Sequence, residues 1–162
     1  MDKEAAWVKK GGMLQYGYKR HYLADSHDGL VMSVHTSAAN AHESQHIDSC
    51  LDKVCLPRGS RVLADKGYSS QSNEVSLRHR GFRSGIQRKA HRGRPLSASE
   101  NRYNKLIGRS RYKIERVFGS IKRWFGRLEA RYVGLVKTHG QHVLEAIAYN
   151  LYRLPGLIMS KS

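Results

Sequence analysis

The order of elements readable in this 162-residue sequence predicts an α/β fold, a mixed sheet with helices on its faces. Three observations predict it. Two alternating runs, Met13–Ala24 and Leu30–Thr36, flank a turn cluster and read as a hairpin. A short apolar run, Arg61–Ala64, stands between two helical stretches. From Ser97 onward the apolar positions recur at helical rather than strand spacing.

Taken in order, Met1–Gly12 is polar, basic and glycine-ended, and reads as a linker with Trp7 as its only anchor. Tyr16, Tyr18 and Tyr22 mark the first strand, and Asp25-Ser-His-Asp-Gly29 supplies turn residues. Lys19 and Arg20 interleave with those aromatics, a pattern that serves base stacking or simply a solvated sheet face. Asn40 caps a helix expected to reach about Val54, ended by Pro57 and Gly59. Arg61–Ala64 is the next strand, with Asp65 at its tip and Gly67 breaking the run.

Ser69–Gly81 reads as a helix capped at Ser70 or Ser72. Glu74 lies early and Arg78, His79 and Arg80 late, the polarity that suits the helix dipole. Phe82–Ile86 reads as a short strand. The loop Gln87–Pro95 is basic and broken by Gly and Pro; Arg88, Lys89, Arg92 and Arg94 suit a backbone-neutralising arm, expected to be mobile without a polyanion. Ser97 and Glu100 make a capping box, Gly108 predicts a break, and Gly126 is a C-cap. Arg127–Gly134 is a basic connector. The amphipathic run His139–Leu154 ends at Pro155-Gly156. The expected organisation is a linker (1–12), one domain (13–154) and a tail (155–162).

The sign of the charge narrows the function. Twenty-nine Lys and Arg against 13 Asp and Glu give a formal net charge of +16, which repels itself unless a polyanion is bound. Nucleic acid is the first partner to consider. No apolar run has the length of a membrane span, no signal-peptide core precedes the domain, and no basic amphipathic helix marks a membrane surface. Cys50 and Cys55, close together and without others, suit a reduced cytoplasmic protein.

Against that charge, one stretch is unusual. Placed on a helix, at about 100° per residue, Arg111, Glu115 and Lys122 fall within about 40° of one another. Ile114, Phe118, Ile121 and Phe125 form a neighbouring apolar stripe able to dock on a core. A lone acid between cations is either an ordinary helix ion pair or a metal ligand facing a polyanion. Asp65 at its strand tip favours the second reading, because strand tips and helix faces are where two carboxylates converge on one metal.

These residues carry a family resemblance. Ala64-Asp65-Lys66-Gly67-Tyr68 and Arg111-x3-Glu115-x6-Lys122 resemble the second and third acidic motifs of IS4/IS5-type insertion-sequence transposases, whose catalytic core is RNase-H-like and of the DDE type. Trp7-Val-Lys-Lys, Tyr16-Gly-Tyr-Lys19, Ala39-Asn-Ala-His-Glu-Ser44 and Arg131-Tyr-Val-Gly-Leu135 also resemble the family's stretches, so the likeness covers Asp2 to about Arg153. Gly108 stands where the family often has a Tyr.

The resemblance implies an α/β, RNase-H-like mixed sheet lacking its first strand and first catalytic Asp. Asp2 matches a non-catalytic position, and Asp25 and Asp28 flank a turn. It implies Asp65 and Glu115 as catalytic ligands of Mg2+ (or Mn2+). DNA contacts would come from Arg111, Lys122, Lys66, Tyr68, Arg116, Arg123 and the arm at Arg88–Arg94. The partners implied are transposon-end and target DNA, further copies in a homo-oligomer, and an upstream transposase fragment; the location implied is the bacterial nucleoid. An inactive DNA-binding remnant is the alternative reading. A third is a zinc metalloprotease through His42-Glu43-x-x-His46, which on a helix would place both His on one face, although Ser44 stands where such helices pack an apolar residue.

Overall fold

A computed structural model describes residues 2–126 and 130–159. The chain divides into two compact units, one of Met1–Ala41 with Lys113–Ser162 and one of His42–Tyr112. The class is α/β as expected, with antiparallel and parallel pairing both present, as an RNase-H-like mixed sheet has.

The first unit holds three antiparallel strands, β1 (Ala6–Lys10), β2 (Met13–Ala24) and β3 (Val31–Ala38), in that order across the sheet. The segment read as a linker therefore carries a strand. Lys10 pairs with Met13 across Gly11-Gly12, whose φ values of 57° and 83° are those of a two-residue hairpin turn that twists with its strands. Trp7 stacks on its cross-strand partner Tyr16, ring centroids 5.1 Å apart. The second hairpin closes as expected. Asp25 accepts the backbone N–H of His27 and of Asp28, and Gly29 takes the left-handed conformation at φ 73°.

Two helices complete this unit, α4 (Tyr112–Phe125) and α5 (Leu135–Met159). Val31 and Val34 of β3, Val117 and Ile121 of α4, and Ala146 and Tyr149 of α5 form its core, with Ile114, Phe125 and Val143 packed against it. Each fully buried aliphatic contributes about 1.5–3 kcal/mol. The Asn150 side chain bonds both the N–H and the C=O of Val31, at 2.8 Å each, fastening α5 to the start of β3. At the other end of α5, Asp2 and Glu4 accept the N–H groups of Gly134 (2.8 Å) and Leu135 (2.9 Å) and so cap the helix. The Gly134 bond is the largest reason why the Asp2 carboxyl lies below its usual range.

The helix also outruns its expected end. It passes through Pro155 to Met159, because a proline this near the terminus forfeits few intrahelical bonds. The expected connector lies outside the described residues at 127–129, as does the end of the tail at 160–162.

The second unit is a strand–helix–strand arrangement: β4 (Arg61–Ala64), α2 (Gln71–His79) and β5 (Arg83–Ile86), the strands parallel and in register from Arg61↔Arg83 to Ala64↔Ile86. Ser70 caps α2 by accepting the Asn73 N–H at 3.1 Å. The helix expected from Asn40 to Val54 is much shorter. Glu43–Gln45 is a single 3-10 turn, and α1 covers only Ile47–Leu51. The physical reason is burial: the polar run before Ile47 has nothing to pack, whereas Ile47, Cys50 and Leu51 are buried.

The helix α3 (Ala98–Ser110) opens on the expected capping box of Ser97 and Glu100. It continues through Gly108 and stops at Arg111, three residues later than expected. Arg111 and Glu115 thus lie on either side of a helix boundary and in different units, not on one uninterrupted helix.

Candidate active site

Asp65 follows the last residue of β4 and opens a 3-10 turn, Lys66–Tyr68. Strand pairing with β5 runs up to Ala64, the residue before it, and the Asp65 side chain shapes the turn: Oδ1 accepts the Gly67 N–H at 2.8 Å. Oδ2 lies 3.7 Å from Arg111 Nη2, a loose ion pair between groups about 39% and 27% exposed, worth at most about 1 kcal/mol. The strand tip thus presents a half-exposed carboxylate that is held in place but not neutralised by a tight partner.

Gly67 matters to this arrangement through what it lacks. A Cβ there would come within 2.9 Å of Asp65 Oδ1 and 3.6 Å of Glu43 Oε2, so glycine keeps open the space that both carboxylates face. Sequence reasoning gave Glu43 a role of its own only in the protease-like motif, and otherwise counted it in the family-like stretch Ala39–Ser44; the fold sets it against the Asp65–Tyr68 turn. No local pattern signals that neighbour, since 21 residues stand between Glu43 and Asp65. Burial is the main cause that pushes the Tyr68 phenol well above its usual range. The charges of Cys50, Asp65 and Glu43 add to it, and Arg111 works the other way. Tyr68 is therefore a neutral donor at physiological pH.

The protease-like spacing forms no such site. His42 is the N-cap of the 3-10 turn, accepting the Ser44 N–H at 3.3 Å, so the two imidazoles do not share a face of an α-helix. Among the described residues the one cluster with metal-ligand spacing is Asp25, His27 and Asp28 at the hairpin tip, where Asp25 is already occupied by the turn.

In the first unit, Glu115 lies in the first turn of α4 and Lys122 and Arg123 in its last, all exposed, while Val117 and Ile121 hold the opposite face in the core. The buried stripe runs through Val117 and Ile121, with Ile114 and Phe125 at its edges and Phe118 stacked on Tyr22 at 5.1 Å. Among the described residues Glu115 makes no ion pair. Arg116 is exposed beside it.

The other described aspartates are consumed by structure. Asp2 accepts the Tyr18 hydroxyl at 2.7 Å and the Gly134 N–H. Asp25 and Asp28 belong to the turn, and Asp48 and Asp52 engage Arg80.

The basic loop is more tied down than a free arm. Asn104 bonds the Arg88 backbone on both sides, at 2.7 and 2.9 Å, and Arg88 Nη1 lies 3.0 Å from Glu74 Oε1. His91 and Arg94 close a turn around Arg92-Gly93 with paired backbone bonds, and Arg94 reaches Glu100 at 3.1 Å. Two acids upstream and downstream of the loop supply these anchors. Lys89 and Arg92 remain exposed.

In the second unit the groups able to meet a divalent metal are carboxylates. The donor set there is oxygen-rich, Asp65 with Glu43 near it, which suits hard cations such as Mg2+ or Mn2+ and not a zinc site of imidazole and thiolate. The space free of a Cβ at Gly67 lies beside the Asp65 oxygen. The residues fit.

Comparison with known proteins agrees with this chemistry. The family described as "Transposase DDE domain" matches residues 2–151. A protein of Neisseria meningitidis serogroup B named "Transposase for insertion sequence element IS1106" is 40% identical over 152 residues, covering 94% of this chain. The chain spans about half the length of that relative, 52%. No solved structure matches the chain. With the family match running over nearly its whole length, the chain belongs to the DDE-domain transposases of insertion sequences.

Proposed function

We propose that this chain is the catalytic part of a transposase that cleaves transposon ends and transfers the cut strand into target DNA. The observation that carries the proposal is the state of Asp65: a carboxylate fixed at a strand tip, half exposed, in a chain of net charge +16. Glu115, exposed and without an ion-pair partner among the described residues, is the second acid of the reading.

Asp65 and Glu115 would hold Mg2+ (or Mn2+), which when bound activates the attacking oxygen and stabilises the leaving oxygen of an in-line displacement at phosphorus. The chain's own residues do the rest. Arg111 and Lys122 hold phosphates near the reacting bond, and Lys66, Arg116 and Arg123 neutralise the adjacent backbone. Tyr68 donates a hydrogen bond. Arg88, Lys89, Arg92 and Arg94 line a second stretch of phosphate contacts, with Arg88 and Arg94 exchanging their acidic partners for DNA. On this reading the enzyme works as a homo-oligomer bound to double-stranded transposon ends and target, in the nucleoid, with the first catalytic Asp supplied by an upstream transposase segment.

An inactive DNA-binding role is favoured by one observation: all described aspartates other than Asp65 are engaged in turns, caps or ion pairs, so none stands ready as a third ligand. A transposition assay in cells separates the two. Asp65→Asn and Glu115→Gln are each expected to abolish transposition and leave binding to end DNA within about twofold, since neither removes a phosphate contact. Wild-type transposition by either variant, in folded protein, would end the assignment.

A further inference from the structure

Gly67 sits in a turn that does not need a glycine. It is not among the glycines of positive φ, so the backbone there would accept an ordinary side chain. What glycine supplies is space. A Cβ would stand 2.9 Å from Asp65 Oδ1, too close to be tolerated, and 3.6 Å from Glu43 Oε2 and 3.7 Å from Glu43 Cβ. Two carboxylate oxygens from separate parts of the sequence thus border the room that one methyl group would fill.

Each acid is brought there by its own 3-10 turn. Glu43 opens the turn Glu43–Gln45, where its C=O accepts the His46 N–H at 3.1 Å. Asp65 caps the turn Lys66–Tyr68, where its C=O accepts the Tyr68 N–H, also at 3.1 Å. Both acids are half-buried, a setting that strengthens attraction to a cation relative to open water while leaving a way in.

The other acids of this unit serve elsewhere. Asp48 and Asp52 engage Arg80, and Glu74 lies 3.0 Å from Arg88 and accepts the Ser84 hydroxyl. Glu100 closes the capping box of α3 and meets Arg94.

Two carboxylates that border one space repel each other. Arg111 offsets this from one side, because its Nη2 lies 3.7 Å from the other Asp65 oxygen, Oδ2. A divalent cation beside Gly67 would turn the repulsion into attraction through oxygen donors alone, the set that Mg2+ and Mn2+ prefer, with water and phosphate oxygens completing the shell.

We infer that Glu43 is a further ligand of the divalent metal at Asp65, so that the second unit by itself presents two carboxylates to the ion across Gly67. This rests on the reading of Asp65 as a metal ligand given above, and adds to it an acid outside the two assigned there.

The test takes Mn2+ alone as the probe, added to the full chain without DNA, with the free ion read by electron paramagnetic resonance. Asp65→Asn and Glu43→Gln are each expected to weaken uptake by about tenfold or more, with an unchanged urea midpoint for Glu43→Gln. The double variant is expected to lose little more than either single one, because both carboxylates hold one ion. Glu74→Gln removes the same charge from an acid paired with Arg88 in the same unit, and is expected to stay within about twofold. Should Glu43→Gln misfold, Glu43→Asp carries the test: its carboxylate, drawn back by one methylene, is expected to weaken uptake by about threefold or more.

Wild-type affinity in folded Glu43→Gln, with Asp65→Asn weakened, overturns the inference and leaves the reading of Asp65 standing. Wild-type affinity in Asp65→Asn, or a wild-type chain that takes up no Mn2+, counts against that reading, and the inference falls with it. Losses that add in full would put the two acids on different ions, and an equal loss in Glu74→Gln would make the effect one of overall charge; either result also overturns it.

Discussion

Replacing Glu145 by alanine is the most informative perturbation of the fold. Glu145 on α5 pairs with Arg20 on β2, and the two side chains are 7% and 5% exposed. Gln141 Nε2 donates to the other Glu145 oxygen at 2.8 Å, whereas Arg20 Nη2 has no hydrogen-bond partner. The guanidinium is thus already short of acceptors, and removing the carboxylate strands a buried cation. Breaking such a pair costs about 3–5 kcal/mol. The under-satisfied Nη2 places this case in the upper half of that range, about a quarter or more of a typical domain's about 5–15 kcal/mol.

Urea unfolding followed by circular dichroism reads this directly, as a fall in midpoint at constant slope. Replacing both partners with apolar residues, Arg20→Met with Glu145→Leu, is expected to recover most of the loss, because the desolvation cost goes with the charges. A Glu145→Ala loss below about 1 kcal/mol, the range of surface pairs, would refute the reasoning.

Three further outcomes follow from named contacts. Burial first, then the nearby charges of Arg20, His139 and His21, depress the His142 imidazole to about 3, with Thr36 Oγ1 2.8 Å from its Nδ1. A depressed folded value means stability is complete above the ordinary 6.5 and is lost as pH falls through the window from there toward 3. The slope from this one group is at most about 1.4 kcal/mol per pH unit, and urea midpoints between pH 6.5 and 5 should flatten in His142→Gln. Gly67→Ala should push the Asp65 carboxylate aside, weakening divalent-metal binding by about tenfold in calorimetry while the fold is kept, because the new methyl faces a half-exposed turn. Arg92→Ala and Lys89→Ala should each lower the salt dependence of DNA binding by about one in log–log slope, measured by anisotropy across salt concentrations.

Much of this architecture could be read without coordinates wherever a local rule and burial agree. Ser70 and the Ser97–Glu100 pair cap the helices that their side-chain chemistry selects, and the run ending in Ala64 is a strand because its neighbours bury it. The strand β1 was not legible as such, since Trp7 and Val8 are its only large apolar residues and Gly11-Gly12 suits a linker as well as a tight turn. The helix boundary expected at Gly108 was misplaced because propensity alone marks the glycine, whereas α3 runs on through it to Ser110 with Arg111 as its C-cap.

At the site, Asp65 and its place on the strand were legible, as was Asp25 in the turn. The approach of Glu43 to Gly67 was not, because it depends on the meeting of two 3-10 turns with 20 residues of sequence between them. The helix α5 was legible as an amphipathic run, but not which of its faces is exposed. Both of its faces have helical period, and only burial tells which one points inward.

Whether Asp65 and Glu115 hold the metal, as proposed above, is read by Mn2+ binding to the purified chain in the presence of end DNA, followed by electron paramagnetic resonance titration without any need for turnover. Wild-type chain is expected to take up Mn2+, and Asp65→Asn and Glu115→Gln each to weaken uptake by tenfold or more, about 1.4 kcal/mol. Equal Mn2+ affinity in wild type and both variants would contradict the proposal.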